Sequence, residues 1–181
     1  MLKPIRRRLG KGCHAGALAL LVILAICLSP QRAPAQEGDL SHTPQIWLQG
    51  ITDSSFKHDQ CRYDFQAFRK TTLDLLYKEP FTFLDLPGVT SLVDVPWLRV
   101  SMTIWDKSTE CTVSVDYMIC DKKIVTSAIS DGTETHCPGT QRYFSTVMGW
   151  VAPDRVQAEL TKMTTDMSQD LAAKWREANP R

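Results

Sequence analysis

Cys61, Cys111, Cys120 and Cys137 are the four of the chain's six cysteines that lie beyond its first 35 residues. Thiols at such spacings do one of three things: exchange electrons, hold a metal, or staple the chain. A thioredoxin-like redox centre needs a C-x-x-C motif, and the sequence has none. A structural zinc site shows two closely spaced ligand pairs, and these cysteines are scattered. An even count in an exported chain favours disulfides, so the expected chemistry is structural. Four cysteines allow three pairings.

Side-chain parity narrows the choice. Cys111 and Cys120 bracket the alternating run "ECTVSVDYMIC", Glu110 to Cys120. Nine residues apart on one strand, they face opposite sides and lie about 30 Å from each other. A Cys111–Cys120 bridge is therefore excluded. Cys111 shares a face with Val113, Val115, Tyr117 and Ile119, and Cys61 falls on the apolar face of an expected helix. Cys61–Cys111 with Cys120–Cys137 is the favoured set, the second bridge closing the loop of residues 121–136. Cys61–Cys120 with Cys111–Cys137 stays open, because the sequence does not say at which end of the sheet the turn at 105–111 lies. Each bridge stabilises by roughly 3 kcal/mol on chain-entropy grounds.

Other chemistry is thinner. His136 precedes Cys137, with Asp131 and Glu134 upstream, and all four are metal-ligand types. Neighbouring side chains diverge, so a solvated loop is expected there and no metal site. Beyond the first 35 residues the histidines are His42, His58 and His136. None falls in a Ser/His/Asp or H-E-x-x-H pattern, neither phosphate-binding glycine motif is present, and no carboxylate pair stands out as acid and base. No cofactor is expected. The favoured reading is non-enzymatic; the alternative is a small hydrolase whose site is built from loops by His58, Asp131 and His136.

The N-terminus sets the compartment. "MLKPIRRRLGKG" is basic, "AGALALLVILAICL" is apolar but short for a membrane span, and Ala33-Pro34-Ala35 is a small-x-small site. That order is a signal peptide over residues 1–35, cleaved after Ala35, which places the protein in the periplasm or outside the cell with no membrane span after cleavage. "LAIC", ending at Cys27, matches a lipidation box poorly, since Ile26 stands where a small residue is wanted. Six of the 21 basic residues lie in the leader and none of the 20 acidic ones do, leaving 15 against 20, a net −5. A mildly acidic chain has no electrostatic footprint for nucleic acid.

The elements that must position these residues follow from periodicity. Residues 36–57 are expected to be a loose segment with a candidate strand at "QIWLQGI" (45–51), and residues 58–181 a single domain. Cys61, Phe65, Phe68, Leu75 and Leu76 recur at helical spacing, predicting a helix from about Asp59 to Lys78 that Pro80 stops. "FTFLDL" (81–86) reads as a short strand. "WLRVSMTIW" and "CTVSVDYMIC" alternate on either side of the turn "DKSTE", predicting a hairpin with one buried face. "ISDGTETHCPGTQ" (129–141) reads as a loop, and "RYFSTVMGWV" (142–151) as a strand. The last helix begins near Asp154, which with Gln157 resembles a capping box, and buries Val156, Leu160, Met163, Met167, Leu171 and Trp175. The economical architecture is α+β: a mainly antiparallel sheet of about four to five strands with two amphipathic helices on one face.

"PWLRVSMTI", "ECTVSVDYMI" and "REANPR" resemble segments of a loosely defined set of uncharacterised bacterial exported proteins. The resemblance spans most of residues 58–181 and implies a fold similar to the N-terminal domain of periplasmic TolB; it implies no activity and no catalytic residue.

Trp97, Arg99 and Trp105 fall on the polar side of the hairpin, away from the expected helices. Aromatics on an uncovered sheet face make a candidate partner surface; the favoured alternative is that both tryptophans, at strand ends, fold over the edge of the core. The sequence thus points to a small disulfide-stabilised export product acting as a binding or envelope-assembly module with an unidentified protein partner.

Overall fold

Alternation in "WLRVSMTIWDK" and "ECTVSVDYMIC" does what period-two patterning dictates. The computed structural model describes residues 31–32, 36–37, 39–41, 43, 45–55, 60–79, 82–84, 95–107, 109–122, 124–129 and 132–180. Strands β1 (Gln31–Arg32), β2 (Gln36–Glu37), β3 (Gln45–Asp53), β4 (Thr82–Leu84), β5 (Trp97–Lys107), β6 (Glu110–Cys120), β7 (Val125–Ile129), β8 (Gly132–His136) and β9 (Gln141–Val151) accompany helices α1 (Phe65–Leu76) and α2 (Val156–Ala178). The long strands run in the order β9-β6-β5-β3, with β1 and β2 short additions on β9 and β4 on β3. β5, β6 and β9 are antiparallel in turn, and β3 joins β5 in parallel. The sheet is mostly antiparallel, with two helices, so the α+β class holds.

One face of this sheet carries the core. Leu98, Val100, Met102 and Ile104 of β5 meet Cys111, Val113, Val115, Tyr117 and Ile119 of β6 in a single apolar cluster. α2 closes it with Val156, Leu160, Met163, Met167, Leu171 and Trp175, all buried. At about 25 cal/mol per Å² of apolar area this cluster is the main source of stability. Two of its tyrosines are partnered: Tyr117 Oη and Ser168 Oγ lie 2.9 Å apart, and Tyr143 Oη donates to Asp170 Oδ2 at 3.0 Å; the buried Thr164 hydroxyl on α2 has no partner. Burial pushes both phenols above the ordinary tyrosine value, with Asp170 adding to the shift of Tyr143.

Several expectations need correction. The first helix starts at Phe65 rather than near Asp59. Asp64 is extended and its Oδ1 accepts from Gln66 N and Ala67 N at 2.8 and 3.0 Å, a side-chain cap that fixes the start. Cys61 therefore precedes the helix instead of lying on it. The capping box at Asp154 is absent: Pro153–Arg155 is a 3-10 turn, and α2 has no side-chain cap. Gln157 Oε1 accepts from Asp64 N at 2.8 Å instead, so it serves the other helix. Residues 129–141 are not all loop, since β7 and β8 form a hairpin. Of "FTFLDL", only Thr82–Leu84 is described, as β4.

Within the segment before residue 58, the described strand β3 belongs to the sheet. β3 is an interior strand between β5 and β4. Leu40 is buried in the core and Trp175 Nε1 donates to Thr43 O at 2.8 Å, so Leu40 and Thr43 are docked on the end of α2 rather than loose. The expected leader lies outside the described residues except for Gln31–Arg32, which pair with Val147 and Met148 of β9.

Candidate functional site

The opposite face of the sheet is made by the alternate residues of the same strands. Cross-strand pairing sets them in rows: Trp105, Thr112, Trp150; Thr103, Ser114, Met148; Ser101, Asp116, Thr146; Arg99, Met118, Phe144. β3 adds Trp47 beside Trp97, Gly50 beside Arg99 and Thr52 beside Ser101. A register shift between Leu48 and Gly50 makes this addition work. Ile46 and Leu48 turn to the core before it and Ile51 after it. A bulged residue changes parity, and here it brings Thr52 round to the polar side.

Among the described residues no helix covers this face; the β7–β8 hairpin covers part of it. The hairpin is tied down twice. Cys120 is bonded to Cys137, with Cα atoms 5.8 Å apart. Gln49 also clasps its entry, Nε2 donating to Ile124 O at 2.9 Å and Oε1 accepting from Ile124 N at 3.0 Å. Cys61 is bonded to Cys111 on the core face, again with Cα atoms 5.8 Å apart. The two bridges thus serve the two faces.

Under the hairpin lies a cleft of about 280 Å³, lined by Ser54, Arg99, Ser101, Thr103, Asp116, Met118, Thr135 and Phe144. Asp116 is its centre. Its Oδ1 accepts from the Thr146 and Ser114 hydroxyls, and the Ser101 hydroxyl bonds the same carboxylate. Burial raises its pKa above the ordinary carboxylate value, and the three hydroxyls pull against that. Arg99 is only 9% exposed; burial lowers its pKa, and its Nε and Nη2 reach Thr52 Oγ1 at 3.4 Å.

The residues singled out in the sequence, Trp97, Arg99 and Trp105, do share this face, but they do not form one surface. Trp97 stacks on the buried Trp47, with ring centroids 5.3 Å apart. Arg99 lies in the cleft and not at the surface. Trp105 belongs to a row at the other end with Thr112 and Trp150, and Trp150 is 41% exposed. The Thr112 hydroxyl between those two indoles is buried without a partner. Asp116, Trp150 and the hydroxyl rows were missed; the signal for them is Ser101 and Thr103 on β5 and Thr112, Ser114 and Asp116 on β6, at every second position.

Of the loop residues His58, Asp131 and His136, the first two lie outside the described residues, and His136 is exposed at the end of β8. Among the described residues no group of three His, Cys, Asp or Glu side chains could hold a metal, and no helix is long and apolar enough to cross a membrane.

No family model and no curated protein matches the chain. Among solved structures it is similar to the PelC dodecamer from Paraburkholderia phytofirmans in two crystal forms. A variant in space group C2 is 10% identical, with 80% of this chain and 98% of that one covered and a TM-score of 0.46. The P6 form is 11% identical, covering 83% and 96%, with a TM-score of 0.42. Likeness at these scores extends no function to this chain.

Proposed function

We propose that the chain is an exported, non-enzymatic binding module that docks a protein partner on the helix-free face of its sheet. The observation that carries this is the row Trp105–Thr112–Trp150, where two indoles flank a buried hydroxyl and Trp150 stays 41% exposed. An exposed tryptophan on a sheet face is the kind of anchor that a partner covers. Two disulfides support an oxidising compartment, and the leader pattern and the resemblance to exported bacterial proteins agree with it.

The test is capture from an envelope fraction with wild type, Trp105→Ala and Trp150→Ala compared. Loss of one defined partner in both variants, with the fold intact by circular dichroism, is expected. Equal capture by both variants removes this row from the reading.

A further inference from the structure

The cleft at the other end of the same face has no part in that docking row, and its lining is of a different kind. We propose that it is a binding site for a single neutral polyhydroxylated ring, a monosaccharide unit.

Charge and hydrogen-bond chemistry lead there. Asp116 and Arg99 line the same cleft, so an anion entering it meets the carboxylate and a cation meets the guanidinium. In a partly desolvated site either encounter is costly, and a ligand without net charge avoids both. Hydroxyls dominate the rest of the polar lining, from Ser54, Ser101, Thr103 and Thr135. A hydroxyl both donates and accepts, and a lining of such groups suits a ligand that does the same at several positions. The Asp116 carboxylate has about four acceptor positions, and the Thr146, Ser114 and Ser101 hydroxyls occupy three. One is left for a hydroxyl from the ligand. Phe144 and Met118 lie side by side in the adjoining row and give the C–H side of a sugar ring an apolar surface.

Size and order agree. About 280 Å³ falls just below the roughly 300–1,000 Å³ of drug-sized sites, room for one ring. The site is also held in shape before a ligand arrives. Its floor is three fully paired strands, Arg99 is braced on Thr52, and the Cys120–Cys137 bridge anchors the hairpin that brings Thr135 over it. Preorganisation of this kind reduces the ordering cost of binding.

The experiment is amide NMR titration of the oxidised protein with methyl glucoside and N-acetylglucosamine as neutral probes, glucuronate as the anionic one and glucosamine as the cationic one. Saturable shifts at Ser101, Thr103, Asp116 and Phe144 are expected with a neutral sugar, and weaker binding with both charged ones. Asp116→Ala and Phe144→Leu should each weaken the neutral sugar by about tenfold or more, while Trp150→Ala leaves it unchanged. The Phe144→Leu variant keeps the test sharp if Asp116→Ala fails to fold. Absence of saturable shifts with every probe, tighter binding of a charged sugar, or unchanged affinity in a folded Phe144→Leu variant would overturn the assignment. Partner capture that persists while no sugar binds removes this site alone; sugar binding without capture removes the docking row alone.

Discussion

Tyr117 and Asp116 are neighbours on β6, and they face opposite surroundings. Tyr117 is fully buried and meets Ser168 of α2; Asp116 meets only hydroxyls and an open cleft. The same division runs along β5, whereas β9 is mixed, with Ser145 and Gly149 on the core side and Phe144, Met148 and Trp150 on the other. A helix layer demands apolar residues with matched volume, since interiors are close-packed. The other face, covered among the described residues by a short hairpin, keeps serines, threonines, a carboxylate, a guanidinium and tryptophans beside Met118, Phe144 and Met148. One face specifies the fold, and the other is free to recognise something.

That contrast is broken most severely through the bridges. Replacing Cys61 and Cys111 together by Ala opens a crosslink spanning 50 residues and should cost about 4 kcal/mol on chain-entropy grounds. The Cys120–Cys137 pair, 17 residues apart, should cost about 3 kcal/mol. Urea unfolding of the two double variants measures both. Cys61 and Cys111 are wholly buried, whereas Cys137 is half-buried. Mild reductant should therefore open the far-face bridge first, read by thiol alkylation and peptide mapping; opening of the core bridge first would show that the hairpin is the better protected layer.

A matched pair of truncations sharpens the comparison next. Leu160 is completely buried under the sheet, and Leu160→Ala should destabilise by about 3 kcal/mol. Thr103→Ala on the far face should change stability by no more than about 0.5 kcal/mol. Equal losses in chemical denaturation would mean that the polar face is also a structural core. Tyr117→Phe is smaller. It leaves the buried Ser168 hydroxyl without its partner and should cost about 1–2 kcal/mol, again by urea unfolding.

The helix-covered face was legible in the sequence because its cover enforces a pattern. The β5–β6 hairpin, β9 and the stripe of the last helix, from Val156 to Trp175, follow from periodicity. What escaped has physical causes. "GTETH" carries no apolar alternation and reads as loop; β8 pairs with β7 in a separate two-stranded sheet. Gln157 sits three residues after Asp154, yet its partner is the Asp64 amide, 93 residues away; a local spacing rule cannot see that. Helical spacing from Cys61 onward predicts a helix from about Asp59, but the Asp64 cap starts it at Phe65. The parallel pairing of β3 depends on register between distant strands. Trp97 and Arg99 were placed on the right face, but the stack on Trp47 and the burial of Arg99 arise from the neighbouring strand. Asp116 gave no signal in isolation; it becomes a site only when Ser101 and Thr146 arrive from either side.

The smallest effect tests whether Asp116 belongs to the polar face as a charge held against its preference. Desolvation raises its folded pKa above the ordinary carboxylate value, with the Thr146, Ser114 and Ser101 hydroxyls pulling the other way. At neutral pH the ionised carboxylate is therefore worse placed in the fold than in the unfolded chain. As pH falls from the raised value towards the ordinary one, the folded state takes up a proton that the unfolded state does not. By linkage the fold gains stability across that window, and the gain ends once both states are protonated. Asp116→Asn cannot titrate. The stability of wild type relative to Asp116→Asn should thus rise as pH is lowered through this window, in urea midpoints taken pH by pH. A difference that stays flat, or that falls with acid, would place the Asp116 charge in a solvated setting and would remove the desolvated carboxylate from the description of the cleft.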